Sequence, residues 1–130
     1  MSTPNQALIS GVGPLPASHP APTGTAPLTG TGVLNLSQGT SVVKVLSASP
    51  KGIKGPSRKV KILVITASRY LAWAKQTPGT APVITADAVA TSTNGSLVSS
   101  SEWILIPANL ELYIVASAAA TICQIHVEEV

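Results

Sequence analysis

The chain has 130 residues, of which only 10% are charged, and its formal net charge is +3. This length allows one domain beside a separate segment, and the single cysteine, Cys123, excludes an internal disulfide. No stretch approaches about 18 uninterrupted apolar residues and no signal-peptide pattern occurs, so we expect a chain made inside the cell without a membrane partner.

The composition of residues 1–39 predicts an extended arm. The first 43 residues contain no Lys, Arg, Asp or Glu, but they contain six Pro and six Gly. Because Pro fixes φ near the extended value and restrains the preceding residue, helix is disfavoured there. Disordered linkers normally stay solvated through charge, so an uncharged arm is expected to lie on protein. Extended through Gly32 it would reach roughly 100 Å, which suits docking on neighbouring subunits.

Residues 40–130 predict a domain of short β-strands with very little helix. Phe is absent, so the core must come mainly from Val, Ile, Leu and Ala, a mixture that favours strands. We expect seven or so strands among the runs 40–47, 59–66, 69–75, 82–86, 97–99, 103–106, 111–116 and 121–130. Short antiparallel strands in this number predict an all-β fold, an antiparallel β-sandwich or a jelly roll.

The order of residues within three runs predicts which side chains share a face. Residues 59–66 start with Lys outward and Val or Ile inward and then become apolar on both faces, which predicts a central strand. Residues 69–75 place Leu71 with Trp73 opposite Ala72 and Ala74 if they form a strand, with one and a half helical turns as the alternative. The last run alternates, which predicts a strand with one face toward the core and the other toward water or a partner. One face carries Thr121, Cys123, Ile125 and Val127, and the opposite face carries Ile122, Gln124, His126 and Glu128.

Two further signals concern single positions. The Asn94–Gly95 pair predicts a turn in an exposed loop or hairpin. Both tryptophans, Trp73 and Trp103, are flanked by aliphatic residues, and burial in the core is expected for them.

Charge is segregated along the chain. All eight basic residues lie between Lys44 and Lys75, and all five acidic residues lie from Asp87 onward. This division suits head-to-tail complementarity between copies, and ordinary solvated loops and strand edges explain it equally well.

The densest basic stretch, residues 50–61, contains two Gly and two Pro, which predicts a loop leading into a strand. Its basic residues are candidates for contact with a partner or with nucleic acid: Lys51, Lys54, Arg58, Lys59 and Lys61. No aromatic residue is interleaved with them and the net charge is small, so a solvated or subunit-contacting loop is favoured over nucleic acid.

No motif for catalysis, cofactor binding or metal binding emerges from the sequence. His126 and Glu128 could form half of a metal site, but no third ligand has a suitable spacing. A Gly-x-Ser-x-Gly elbow is absent, and Gly11-Val12-Gly13 is followed by Pro14 rather than by a helix. We therefore predict a non-enzymatic protein with no catalytic residues, no cofactor and no metal.

The C-terminal half carries short motifs, Ser68-Arg69-Tyr70-Leu71-Ala72-Trp73-Ala74 and then residues 106–122, IPANLELYIVASAAATI. They resemble small β-rich structural proteins of tailed bacteriophages, which often combine an R-Y-L-A-W strand with an I-P-A-x-x-x-L-Y-V hairpin. The resemblance covers about half of the chain. It implies a virion protein assembled in the host cytoplasm, present in many copies and without catalytic residues.

Composition and resemblance together predict a homo-oligomeric capsid decoration protein that contacts its own copies and other virion proteins, such as major capsid, portal or tail proteins. A head-tail connector, collar or tail structural protein is the alternative within this class. From a different class, a carbohydrate- or receptor-binding β-sandwich module remains open, with Trp73 and Trp103 as its candidate platforms. Weak nucleic-acid contact through the basic loop also remains open.

Overall fold

Antiparallel strands form most of the regular structure in the computed structural model, which describes residues 26–87 and 92–130, with only the backbone described for Ser92 and Thr93. The strands are β1 (Gly32–Gln38), β2 (Val43–Leu46), β3 (Arg58–Val64), β4 (Leu71–Gln76), β5 (Thr85–Ala86), β6 (Ser92–Thr93), β7 (Ser96–Leu97), β8 (Ile104–Ile106), β9 (Glu111–Ala116) and β10 (Thr121–Glu129). Within the described ranges the only helical segment is the three-residue turn Gly52–Lys54, so a membrane-spanning helix is absent there.

Eight of the strands form two sheets of four. Sheet I has the order β1-β10-β3-β8, and sheet II has the order β2-β9-β4-β7. The pairing is nested: β1 pairs with β10, β2 with β9, β3 with β8, and β4 with β7, always antiparallel. Such a sequence of pairs is one long hairpin wound into two facing sheets, which is the jelly-roll connectivity. The all-β sandwich or jelly roll predicted from the sequence is confirmed.

The main core lies between the two sheets. Sheet I contributes Leu34, Ile62 and Ile125, each no more than 1% exposed, and sheet II contributes Leu112 and Ile114. In β10 buried and more exposed residues alternate without interruption through Val127, as the sequence predicted. The strand β3 lies between β10 and β8, which confirms the central strand expected for residues 59–66.

The two outer faces of the sandwich differ. The outer face of sheet II is covered, because Tyr113, Val115 and Ala72 form a second buried cluster with Ile84, which precedes the β5–β6 hairpin. Every residue of β9 is therefore buried, on both faces. No described segment covers the outer face of sheet I in the same way, and large apolar side chains on it stay exposed.

The described structure also refines element boundaries. The sandwich begins with β1 at Gly32, although the sequence analysis assigned residues 1–39 to the arm and began the domain at residue 40. Residues 1–25 of that arm lie outside the described residues. Leu34 and Leu36 support a strand there because they share one face, which packs against the core. The predicted Asn94–Gly95 turn separates β6 from β7, and Asn94 has a φ of 59°.

Candidate docking surface

The five basic residues singled out in the sequence do not form one cluster. Lys51 and Lys54 lie in the loop between β2 and β3, beside Ile53, which is 81% exposed. Lys59 and Lys61 lie in β3 on the outer face of sheet I. Arg58 points into the sandwich and is 2% exposed. A single basic loop is therefore not what the fold presents, and Arg58 has to be removed from the candidate contact residues.

Arg58 is buried because it is in phase with Val60 and Ile62, the inward residues of β3. Its Nη1 donates to the carbonyl of Thr29 and its Nη2 donates to the carbonyl of Ser47, both at 2.9 Å. Burial lowers the pKa of the guanidinium below its usual range. Nε has no hydrogen-bond partner among the described residues. The guanidinium thus fastens the segment before β1 to the end of β2.

Backbone hydrogen bonds hold the same segment, which is the root of the arm. The amide of Leu28 donates to the carbonyl of Val45 at 3.0 Å, and the amide of Ser47 donates to the carbonyl of Leu28 at 2.8 Å. Leu28 forms a parallel bridge with Leu46 and packs against the main core. The arm therefore leaves from a fixed position at the free edge of sheet II.

Trp103 is the feature of the outer face of sheet I that the sequence interpretation missed. Trp103 is 41% exposed, against the expectation of burial. It precedes β8, an edge strand, and shares with Leu105 the face opposite the buried Ile104 and Ile106. Alternation along residues 103–106 was the available signal, because two adjacent residues of a strand cannot both face the core.

Lysine side chains lie over the Trp103 ring. Lys59 Nζ is 4.8 Å from the ring centroid and Lys61 Nζ is 5.5 Å from it, distances typical of cation–π contacts. Lys59 also approaches Glu128, with 3.7 Å between Nζ and Oε1. The register of β3 and β8, which pairs Lys59 with Leu105, brings an aromatic residue to lysines far away in sequence. The absence of a nearby aromatic in the linear sequence was thus no guide to the folded surface.

A row of hydrogen-bonded polar side chains lies on the outer face beside this cluster. Gln124 Nε2 donates to Asn35 Oδ1 at 2.9 Å, and His126 Nε2 lies 2.7 Å from Gln124 Oε1. The strand register places His126 directly opposite Lys61. His126 is therefore engaged by Gln124, and the residues the structure describes contain no group of three His, Cys, Asp or Glu that could hold a metal ion.

Exposed apolar side chains complete this face. Leu105 is 53% exposed beside Trp103, while Ile65 and Ile122, at the other end of β3 and β10, are 62% and 43% exposed. We call this surface the Trp103 face, defined by Trp103, Lys59, Lys61, Leu105, Gln124, Ile65 and Ile122. Exposed apolar side chains next to polar ones are typical of a surface that docks on a partner.

The covered side of the sandwich holds the other polar cluster, and that cluster is internal. Lys44 Nζ lies 2.8 Å from Glu111 Oε2, and the Tyr113 hydroxyl donates to Glu111 Oε1 at 2.9 Å. The hydrogen bond to Glu111 raises the pKa of Lys44, while burial and then that carboxylate raise the pKa of Tyr113. Because Glu111 already accepts from both neighbours and is 4% exposed, this cluster stabilises the sheet.

Comparison with protein-family models, with curated proteins and with solved structures finds no match to this chain.

Proposed function

We propose that this protein is a non-enzymatic structural protein of a tailed-bacteriophage virion, a capsid decoration protein whose N-terminal arm docks on neighbouring subunits. A head-tail connector, collar or tail protein would use the same arrangement. The proposal depends on one observation, the way in which the root of the arm is held. Leu28 and Arg58 attach the end of an uncharged, Pro-rich segment to a fixed point of a jelly roll.

The fold is compatible with this role without deciding it. Jelly rolls occur in viral shells and also in lectins, so topology alone selects no function. The additional support comes from the scarcity of charge, since a surface with few charged residues needs partners to cover it. The resemblance of residues 68–74 and 106–122 to structural proteins of tailed bacteriophages is the reason for proposing a virion in particular.

Assembly through the arm is tested by replacing residues 1–25 with an uncharged Gly/Ser segment of the same length. Light scattering over a range of concentrations measures the mass of both proteins. We expect the native chain to form an oligomer of fixed size and the replaced chain to dissociate. In lysates that contain tailed particles, the native chain should band with them on a density gradient. An oligomer and a particle association that survive the replacement would contradict the proposal.

A second function, carbohydrate binding, is favoured by one observation, the 41% exposure of Trp103 on a sheet face beside polar side chains. Sugar rings stack on exposed tryptophan while amide and ammonium groups donate to their hydroxyls. A screen of glycans by tryptophan emission tests it, with Trp103→Ala as the negative control and Trp73→Phe retaining the response. No shift with any glycan class would count against this function.

A further inference from the structure

We infer that the Trp103 face is the docking site for residues 14–22 of the arm of a neighbouring copy. The inference rests on the proposed function and names the surface that receives the arm. It assigns Trp103 the role of anchor, with Lys61 as a hydrogen-bond donor to a carbonyl of the arm.

The sequence of the arm fits an exposed tryptophan. Residues 14–22, PLPASHPAP, contain four Pro among nine residues, which favours the polyproline II conformation. In that conformation the carbonyls are unpaired, and Pro rings pack well on aromatic side chains, as in other modes of Pro-rich recognition. Among the tryptophans and tyrosines of the described residues, only Trp103 is exposed, and the others are buried or half-buried. Its indole N–H is a donor suited to such a carbonyl.

Charge distinguishes this ligand from a polyanion. The face carries Lys59 and Lys61, but Lys59 is already paired with Glu128. A nucleic acid would therefore gain few phosphate contacts there, and phosphate contacts supply most of its affinity. The arm carries no charged residue from Met1 to Val43, so it leaves the Lys59–Glu128 pair intact. An uncharged chain rich in carbonyl acceptors is the better match.

The dimensions of the face agree with a segment of this length. Nine residues in polyproline II span about 28 Å, and four strands measure about 14 Å across. A segment crossing the sheet obliquely can therefore cover both Leu105, at the β8 edge, and Ile122, in β10, which are 53% and 43% exposed. These side chains would lose their contact with water on docking.

The position of the arm root indicates a neighbouring copy as the source. Within residues 26–31 the chain lies along sheet II, because Leu28 is bonded to β2 at the edge of that sheet. The edge strand β1, which the root enters, is at the opposite side of sheet I from β8 and Trp103. The arm of the same molecule would have to reverse its direction around the sandwich, whereas the arm of an adjacent molecule has no such constraint.

The test places a photo-crosslinking residue at Leu105 in the full chain. Val83, which is 77% exposed on another part of the surface, serves as the control position. Mixing isotopically heavy and light protein before irradiation distinguishes crosslinks between copies from those within one. We expect crosslinks from position 105 to residues 14–22 that join heavy and light chains, and none from position 83. Crosslinks only within one chain, or only to the sandwich of another copy, would overturn the inference.

A matched set of full-length variants supplies a second readout. Trp103→Ala should weaken self-association roughly tenfold or more, the effect expected for loss of an anchor residue, with Trp103→Phe in between. Ile53→Ala, at an 81% exposed site in the β2–β3 loop, should leave it unchanged. Unaltered association of Trp103→Ala overturns the inference, as does a glycan response at Trp103 that coexists with full assembly.

The two proposals fail in distinguishable ways. If the Gly/Ser replacement of the arm abolishes assembly while Trp103→Ala and the crosslinks show no effect, the arm docks elsewhere and only this inference is wrong. If the replacement itself changes nothing, the proposed function is wrong.

Discussion

The buried guanidinium of Arg58 offers a direct test of how the arm root is held. Replacing it with Met keeps a side chain of similar length and apolar character but removes both donors to Thr29 and Ser47. Replacing it with Lys keeps the charge but removes the planar fork that reaches two carbonyls at once. Both variants are expected to be less stable than the native protein.

The magnitude follows from the contacts. A hydrogen bond from a charged donor contributes about 1.5–3 kcal/mol, so the two bonds together represent roughly 3–6 kcal/mol. Arg58→Met recovers part of this free energy because it removes a buried charge, and burying a charge is costly. Among the described residues, no carboxylate lies within salt-bridge distance of Arg58 to offset that cost. We expect the free energy of unfolding of Arg58→Met to be lower than that of the native protein by about 2–3 kcal/mol. The loss for Lys should be at least as large, since its charge stays buried with fewer partners.

Urea denaturation followed by tryptophan emission measures these losses. Lys51→Met is the matched control: it removes the same charge from an exposed position, and its free energy of unfolding should change by less than about 0.5 kcal/mol. An Arg58→Met protein as stable as the control, or an Arg58→Lys protein more stable than Arg58→Met, would refute the reasoning.

Two further predictions concern strand β10. Ile125→Ala should cost about 2–5 kcal/mol because Ile125 is fully buried, whereas Ile122→Ala, on the opposite face and 43% exposed, should cost less than about 0.5 kcal/mol; similar losses in urea denaturation would show that the faces are misassigned. Burial raises the pKa of the Cys123 thiol from 9.0 to about 11, so the folded protein should not react with a disulfide reagent at pH 8 and should react once unfolded. Between pH 9 and about 11 the thiol ionises in the unfolded chain but stays neutral in the folded one, so stability is unaffected below pH 9 and falls as the pH rises toward 11, whereas Cys123→Ala should lack this pH dependence.

The strand faces could be predicted because each depends on nearby residues alone. In β10 every second residue is apolar, and a half-buried strand has no other way to arrange that pattern. The same reasoning separates Leu71 and Trp73 from Ala72 and Ala74 in β4, and the two pairs do pack in different clusters.

The error at Arg58 came from treating basic residues as one class. Parity along Arg58, Lys59, Val60 and Lys61 already places Arg58 with the buried Val60, but composition suggested a solvated cluster. What makes burial of Arg58 tolerable is the pair of carbonyls at Thr29 and Ser47, and neither is recognisable from the local sequence.

The position of Trp103 beside Lys59 and Lys61 could not be predicted because it depends on strand pairing. The contact exists only because β3 and β8 are neighbours in register, and the nested pairing of the jelly roll decides that. The exposure of the whole outer face of sheet I could not be predicted either. The β5–β6 hairpin, a short insertion between β4 and β7, covers the outer face of sheet II, and nothing in the local sequence shows which sheet it covers.

The pairing of β1 with β10 has a consequence for how the chain folds during synthesis. Gly32 pairs with Val127, so the backbone groups of β1 have no strand partner until β10 has been synthesised. Contacts so distant in sequence slow folding and leave early segments unprotected. Prolines cannot continue a β-ladder, so the segment before β1, with its six prolines, is itself a poor template for aberrant strand pairing.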